Sequence, residues 1–189
     1  MVAISLEEGV PRVLLRGRPR LVETFTFEFR QPYHTAKKKT LDASREFIAR
    51  ARTEATGLAY CAIQSASKTL AEQGYEIDRC GLLVASGKTL PALPQILASH
   101  ALIHTADGEL FREAILGACE KCHLLPFTVK EQEVQERAGR VLRLSASELS
   151  GRLADLGRTC GSPWTQDEKF AAAAAWLAMI GPAESVSQA

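Results

Sequence analysis

No part of this sequence is apolar for long enough to cross a bilayer. A span needs ~18 consecutive apolar residues, and the longest candidate, Phe170 to Ile180, is short and alanine-rich. Residues Met1 to Val10 also lack the basic segment and apolar run of an export signal. These two absences set the expectation of a cytoplasmic protein with no membrane partner. Five cysteines, an odd number, then read as reduced thiols rather than a disulfide framework. There is no internal repeat and no low-complexity segment beyond the five alanines 171–175. A strong overall charge is missing too: the net value is +1, so there is no global nucleic-acid signature.

The charge that is present is uneven. Residues 1–56 hold 11 Lys/Arg against 7 Asp/Glu, and the remaining residues hold 12 against 15. The basic excess includes Arg16, Arg18, Arg20 and the run Lys37, Lys38, Lys39, a set suited to phosphates and equally to a solvated surface. With 189 residues the expectation is one α/β domain over residues 1–180, followed by a disordered tail over 181–189.

Patterning divides the chain into strands first and helices later. Short apolar runs at Val2–Leu6 and Val13–Leu15 flank the turn Gly9-Val10-Pro11. Phe25, Phe27 and Phe29 alternate with polar residues between Leu21 and Arg30, which predicts a third strand and an antiparallel meander. Three- and four-residue steps from Ile48 to Leu70 predict a long helix, capped by Thr40 or Asp42 and stopped by Gly74. Cys80–Ala85 and Phe127–Val129 read as buried strands. Helices are predicted over Leu93–Ala98, from Thr105 or Asp107 through Ala118, over Glu131–Leu142, from Ser145 or Ser147 to Leu156, and from a Thr165 cap to Ile180. The fold class expected from this order is α/β, with a mixed sheet of about five strands covered by helices on both faces.

Three motifs invite chemistry. Cys119-Glu120-Lys121-Cys122-His123 matches the haem-attachment pattern, but it lies at the end of an amphipathic helix in a chain with no export signal, so no haem is expected. The same residues with Cys160 are a chemically reasonable zinc set that lacks a second closely spaced pair. Gly87-Lys88-Thr89 follows a strand as a phosphate loop would, but Leu82 stands where that loop needs its first glycine.

The segment Ser99 to Glu113 is the strongest candidate site. His100 and His104 are four residues apart and share a face on a helix, with Thr105, Asp107, Glu109, Arg112 and Glu113 close behind. Ser99, His100, His104, Asp107, Glu109 and Arg112 are the candidate catalytic residues, as an acid–base group. A divalent metal is the cofactor such a cluster would hold, with His100 and His104 as ligands. At the opening of the last helix, Asp167 and Glu168 also complement the helix dipole.

The order of elements over residues 2–178 resembles the RNase H-like superfamily, and within it the Holliday-junction-resolvase branch. The pieces that carry the likeness are Glu109–Val129 and the last helix with Asp167 followed by alanines. The resemblance implies a three-layer architecture and metal-assisted work on nucleic acid. Of the family's carboxylates only Asp167 has a counterpart, since Ser5 stands on the first strand and Cys80–Ser86 contains no acid. The function implied is therefore binding or processing of nucleic acid without a standard two-metal centre. Two other readings follow from the residues themselves. One is a small-molecule or anion-binding enzyme using segment 99–113; the other is a non-catalytic homodimer formed through Ala171–Ala175.

Overall fold

The computed structural model describes residues 1–23, 27–85 and 89–180. The chain falls into two compact units: Met1–Arg18, Ala66–Ala85 and His123–Ala189 form unit 1, and Pro19–Ser65 with Ser86–Cys122 form unit 2. Each has its own apolar core. The tail expected over residues 181–189 lies outside the described residues. No described helix is long and apolar enough to cross a membrane.

Unit 1 begins with a hairpin, β1 (Val2–Glu7) and β2 (Val10–Arg16), paired antiparallel. Its turn residues Glu8 and Gly9 both take positive φ, 52° and 80°, the geometry whose twist matches the flanking strands. A second sheet pairs β3 (Arg79–Val84) with β4 (Leu125–Lys130) in parallel. Around these strands lie α6 (Val134–Leu142), α7 (Ala146–Arg158) and α8 (Gln166–Ile180). Helix α7 opens with a reciprocal capping box between Ser145 and Glu148.

Helix α8 is apolar nearly all round, and the core explains why. Ala172, Ala173, Ala174 and Leu177 are completely buried, and the small side chains let the helix backbone approach β3. A Cβ built on Gly81 would sit 2.4 Å from the Ala174 carbonyl oxygen. The central alanines of the stripe considered as a dimer face are thus covered by the chain's own sheet.

Arg16 ties β2 to the connection between α7 and α8. Its Nε donates to Glu168 at 2.6 Å, and Nη1 donates to the carbonyls of Cys160 and Gly161 at 3.3 and 3.1 Å. Nη2 donates to the Pro163 carbonyl. Arg18 stands 3.6 Å from the same Glu168 carboxylate. Glu168 also accepts the Thr165 backbone N–H at 2.6 Å and its hydroxyl at 2.8 Å. The Thr165 amide is the largest influence holding the Glu168 carboxyl down near 2, with the Thr165 hydroxyl and Arg16 adding to it.

This tether accounts for a correction to the expected fold. The five-stranded mixed sheet with three layers is not formed among the described residues; two separate two-stranded sheets take its place. Four of the five expected strands exist, but the described residues of Leu21–Arg30 form none. After Arg16 and Arg18 are anchored, the chain passes into unit 2 at Pro19 instead of folding back along β2. Leu21–Glu23 is irregular, residues 24–26 lie outside the described residues, and Phe27–Arg30 is a turn of helix, α1. Phe29 packs its ring against Phe47 with centroids 5.5 Å apart.

Unit 2 is helical: α1, α2 (Pro32–Ala36), most of α3 (Leu41–Ala71), α4 (Leu93–Ala98) and α5 (His100–Lys121). Thr40 caps α3 through the Ala43 amide at 3.4 Å, and Gly74 follows its end with φ 84°. Ser44, Ile48, Ala51, Ala55 and Ala59 form the buried stripe of α3. The Ser44 hydroxyl reaches the Ala36 and Thr40 carbonyls, both at 2.8 Å, which secures the α2–α3 corner.

Two outcomes test unit 1. Gly81→Ala forces a methyl group into the α8 backbone and is expected to cost about 3 kcal/mol, read as a lowered urea midpoint. Because folding lowers the Glu168 pKa, its contribution is complete above the ordinary 4.5 and is lost as pH falls from there toward about 2. The stability difference between the wild type and Glu168→Gln should therefore shrink across that window in acid titrations followed by circular dichroism.

Candidate metal centre

Helix α5 begins earlier than its sequence suggests. Thr105 and Asp107 look like starting residues, but the N-cap is Ser99, whose hydroxyl accepts the Leu102 amide at 3.4 Å. His100 is thus the first residue of a 22-residue helix, and His104 follows one turn later. Thr105 turns its hydroxyl back to the Ala101 carbonyl at 3.0 Å. Asp107 sits in the helix interior, only 7% exposed.

A buried carboxylate needs donors, and Asp107 finds both on α2. Its Oδ1 accepts the Tyr33 backbone N–H at 2.7 Å, and its Oδ2 lies 2.7 Å from His34 Nδ1. Pro32 at the start of α2 removes one amide that would otherwise want a partner. The neighbouring Tyr33 amide is free to point at Asp107. Burial pushes the Tyr33 hydroxyl up from its ordinary pKa, and nearby Arg52 opposes the shift. Arg52 in turn meets Glu113 of α5 at 2.5 Å.

These contacts bring His34 to His100 and His104. One nitrogen from each imidazole lies within 4.8 Å of the others. His100 Nε2 and His104 Nε2 are 3.1 Å apart, close to the roughly 3.3 Å between two nitrogens at 2.0–2.1 Å from a tetrahedral ion. The His34 ring centroid is 5.3 Å from that of His100 and 4.5 Å from that of His104. A carboxylate can only accept, so it fixes a proton on His34 Nδ1, and in the neutral ring Nε2 keeps its lone pair. Carboxylate, histidine and metal in line is the usual way a ligand imidazole is oriented and made more basic.

Exposure gives the cluster a direction. The His34 side chain is 18% exposed, while His100 and His104 are exposed. The protected side carries Asp107 and the open side faces water. Nitrogen-only donors suit zinc and its neighbours cobalt, nickel and copper, and fit calcium or magnesium poorly.

The other candidate residues are placed as follows. Glu109 pairs with Arg112 on α5 at 3.1 Å. Asp167 lies on α8 in unit 1 and is outside the three-histidine group. Among the described residues, Cys119, Cys122, His123 and Cys160 do not gather into a metal-ligand group. Cys119 is buried, and burial raises the Cys122 thiol pKa. In the basic set, Arg16 and Arg18 face Glu168, Lys39 lies 5.1 Å over the Phe47 ring, and Lys37 and Lys38 are exposed. Part of Gly87-Lys88-Thr89 lies outside the described residues.

His34 is the residue that sequence reasoning missed. It falls in a polar nine-residue connector, far in sequence from His100, and only its neighbour Pro32 hints that a helix starts there. Comparison with known protein families, with curated proteins and with solved structures finds no match to this chain.

Asp107→Ala would leave the Tyr33 amide and His34 Nδ1 without their acceptor. It is expected to cost about 3 kcal/mol, measured as a fall in melting temperature and urea midpoint without added metal. Asp107→Asn keeps an acceptor for the Tyr33 amide and should cost less.

Proposed function

We propose that unit 2 holds a mononuclear metal centre for a zinc-class divalent ion, with His34, His100 and His104 as ligands and Asp107 orienting His34. The observation that carries this reading is the meeting of three imidazole nitrogens from two helices within 4.8 Å of one another, with a buried carboxylate behind one of them. Of the readings drawn from the sequence, it favours the small-molecule or anion-binding enzyme built on segment 99–113, with His34 added.

Three protein ligands leave a tetrahedral ion one position for water or substrate. That is the arrangement of catalytic zinc, whereas structural zinc is closed by four protein ligands. An ion held this way polarises whatever oxygen fills the fourth position and lowers the pKa of bound water. Held by His34, His100 and His104, such an ion would supply Lewis-acid chemistry on the side where His100 and His104 are exposed. The surrounding protein makes this economical. Asp107, the α2–α3 corner and the Arg52–Glu113 pair fix His34 and α5 before any ion arrives, so little ordering entropy is lost on binding.

Equilibrium dialysis against zinc is expected to give one ion per chain, with a rise in melting temperature. His34→Ala, His100→Ala and His104→Ala should each abolish tight binding while leaving the helical circular dichroism intact. Asp107→Asn offers a donor where the carboxylate accepted, which turns the His34 tautomer the wrong way; affinity should fall about 10- to 100-fold. Unchanged zinc binding in His34→Ala would remove the proposal.

A further inference from the structure

We infer that the fourth position of this centre takes a phosphate dianion, either free or as the end of a monoester, with Lys37, Lys38 and the amino terminus of α5 supplying the remaining positive charge. The inference rests on the metal reading above and adds the ligand class to it.

Charge balance leads to an anion. Three neutral imidazoles leave a divalent ion its full charge, and Asp107 offsets one unit from the second layer. The other acids of α5 that could compensate are already engaged, Glu109 with Arg112 and Glu113 with Arg52. The centre with its surroundings therefore keeps a positive excess, on the side where His100 and His104 are exposed.

Helix geometry adds donors at the same place. His100 is the first residue of α5, so one metal ligand springs from the helix's amino-terminal end. The amides of His100 and Ala101 have no intrahelical acceptor there, whereas Ser99 already takes the Leu102 amide. Partial positive charge at a helix start favours an oxyanion, and here it lies beside a metal position that itself needs an oxygen ligand.

The lysines complete the set. The backbone continues helically past α2: Lys37 has φ −51° and ψ −26°, and the Lys38 amide donates to the Thr35 carbonyl at 3.2 Å. The Lys37 amide still makes the helical bond to the Tyr33 carbonyl, so Lys37 follows His34 by three residues within one helical run, a spacing that places two residues on the same side, and Lys38 comes next in the closing turn. Lys39 is taken up by Phe47, but Lys37 and Lys38 are exposed. A tetrahedral dianion can bind the metal through one oxygen and present others to two ammonium groups and the helix amides. A carboxylate has only two oxygens, and a halide a single atom, to share among these donors.

The test uses the full chain loaded with cobalt(II), whose visible absorption reports tetrahedral coordination. Inorganic phosphate and phenyl phosphate are titrated separately, with chloride held constant. The expected result is a saturable change in the cobalt spectrum with at least one of them. The midpoint should rise about tenfold in the Lys37→Ala/Lys38→Ala double variant, whose cobalt affinity is unchanged. Response to phenyl phosphate identifies an ester as the ligand, and response to inorganic phosphate alone identifies the free ion. A tetrahedral cobalt spectrum that neither compound perturbs, or that both perturb equally in wild type and double variant, overturns the inference and leaves the metal centre standing. Absence of any tetrahedral cobalt spectrum removes both.

Discussion

Unit 2 depends on one carboxylate that is hardly exposed to water. Asp107 sits in the interior of α5, where an unpaired acid would be strongly destabilising, and α2 supplies both of its partners. One partner is a backbone amide, which fixes the position of the short helix. The other is the imidazole of His34, which fixes the direction of a side chain. The same two contacts satisfy a folding requirement and place chemistry, since the ring that hydrogen-bonds Asp107 on one edge lies against His100 and His104.

Unit 1 uses a buried acid in a related way. Glu168 is 5% exposed and accepts from the Thr165 amide and hydroxyl as well as from Arg16. Its groups gather a hairpin strand, a turn and a helix start into one junction. The difference lies in the partners. Arginine is always charged and offers only donors, so the Glu168 junction is closed in on itself. Histidine has a second nitrogen, so the Asp107 junction has a free end that can be used.

Much of the helical framework can be read in the sequence. Thr40, Ser145 and Thr165 announce helix starts through their capping chemistry, and the small-residue steps of α3 and α8 announce buried stripes. The Leu21–Arg30 segment misleads because a short aromatic alternation says which side chains are apolar without saying whether a partner strand is available. That depends on Arg16 and Arg18, which hold the preceding chain against residues near 160–168. Two of the three histidines of the candidate site are legible, because His100 and His104 are one turn apart on the same helix. His34 is not, because its role arises from Asp107 across a gap in sequence that no periodicity spans. Asp107 misleads for the same reason: two residues after Thr105 and next to Gly108 it resembles a helix cap, and only the fold shows it as a buried acceptor.

Unit 1 is assembled from three separated stretches of chain, because β3 pairs in parallel with β4 and the connection between them is spent on unit 2. During synthesis, residues 19–122 leave the ribosome before β4 has been made and well before α8 can cover Gly81. The histidine cluster and its supporting acid therefore all emerge while the other core cluster still lacks all of its buried members, which run from Phe127 to Ala178. The exposed face of β3, meanwhile, has to wait for the last helix. Until then it is the stretch of nascent chain with most to gain from a chaperone.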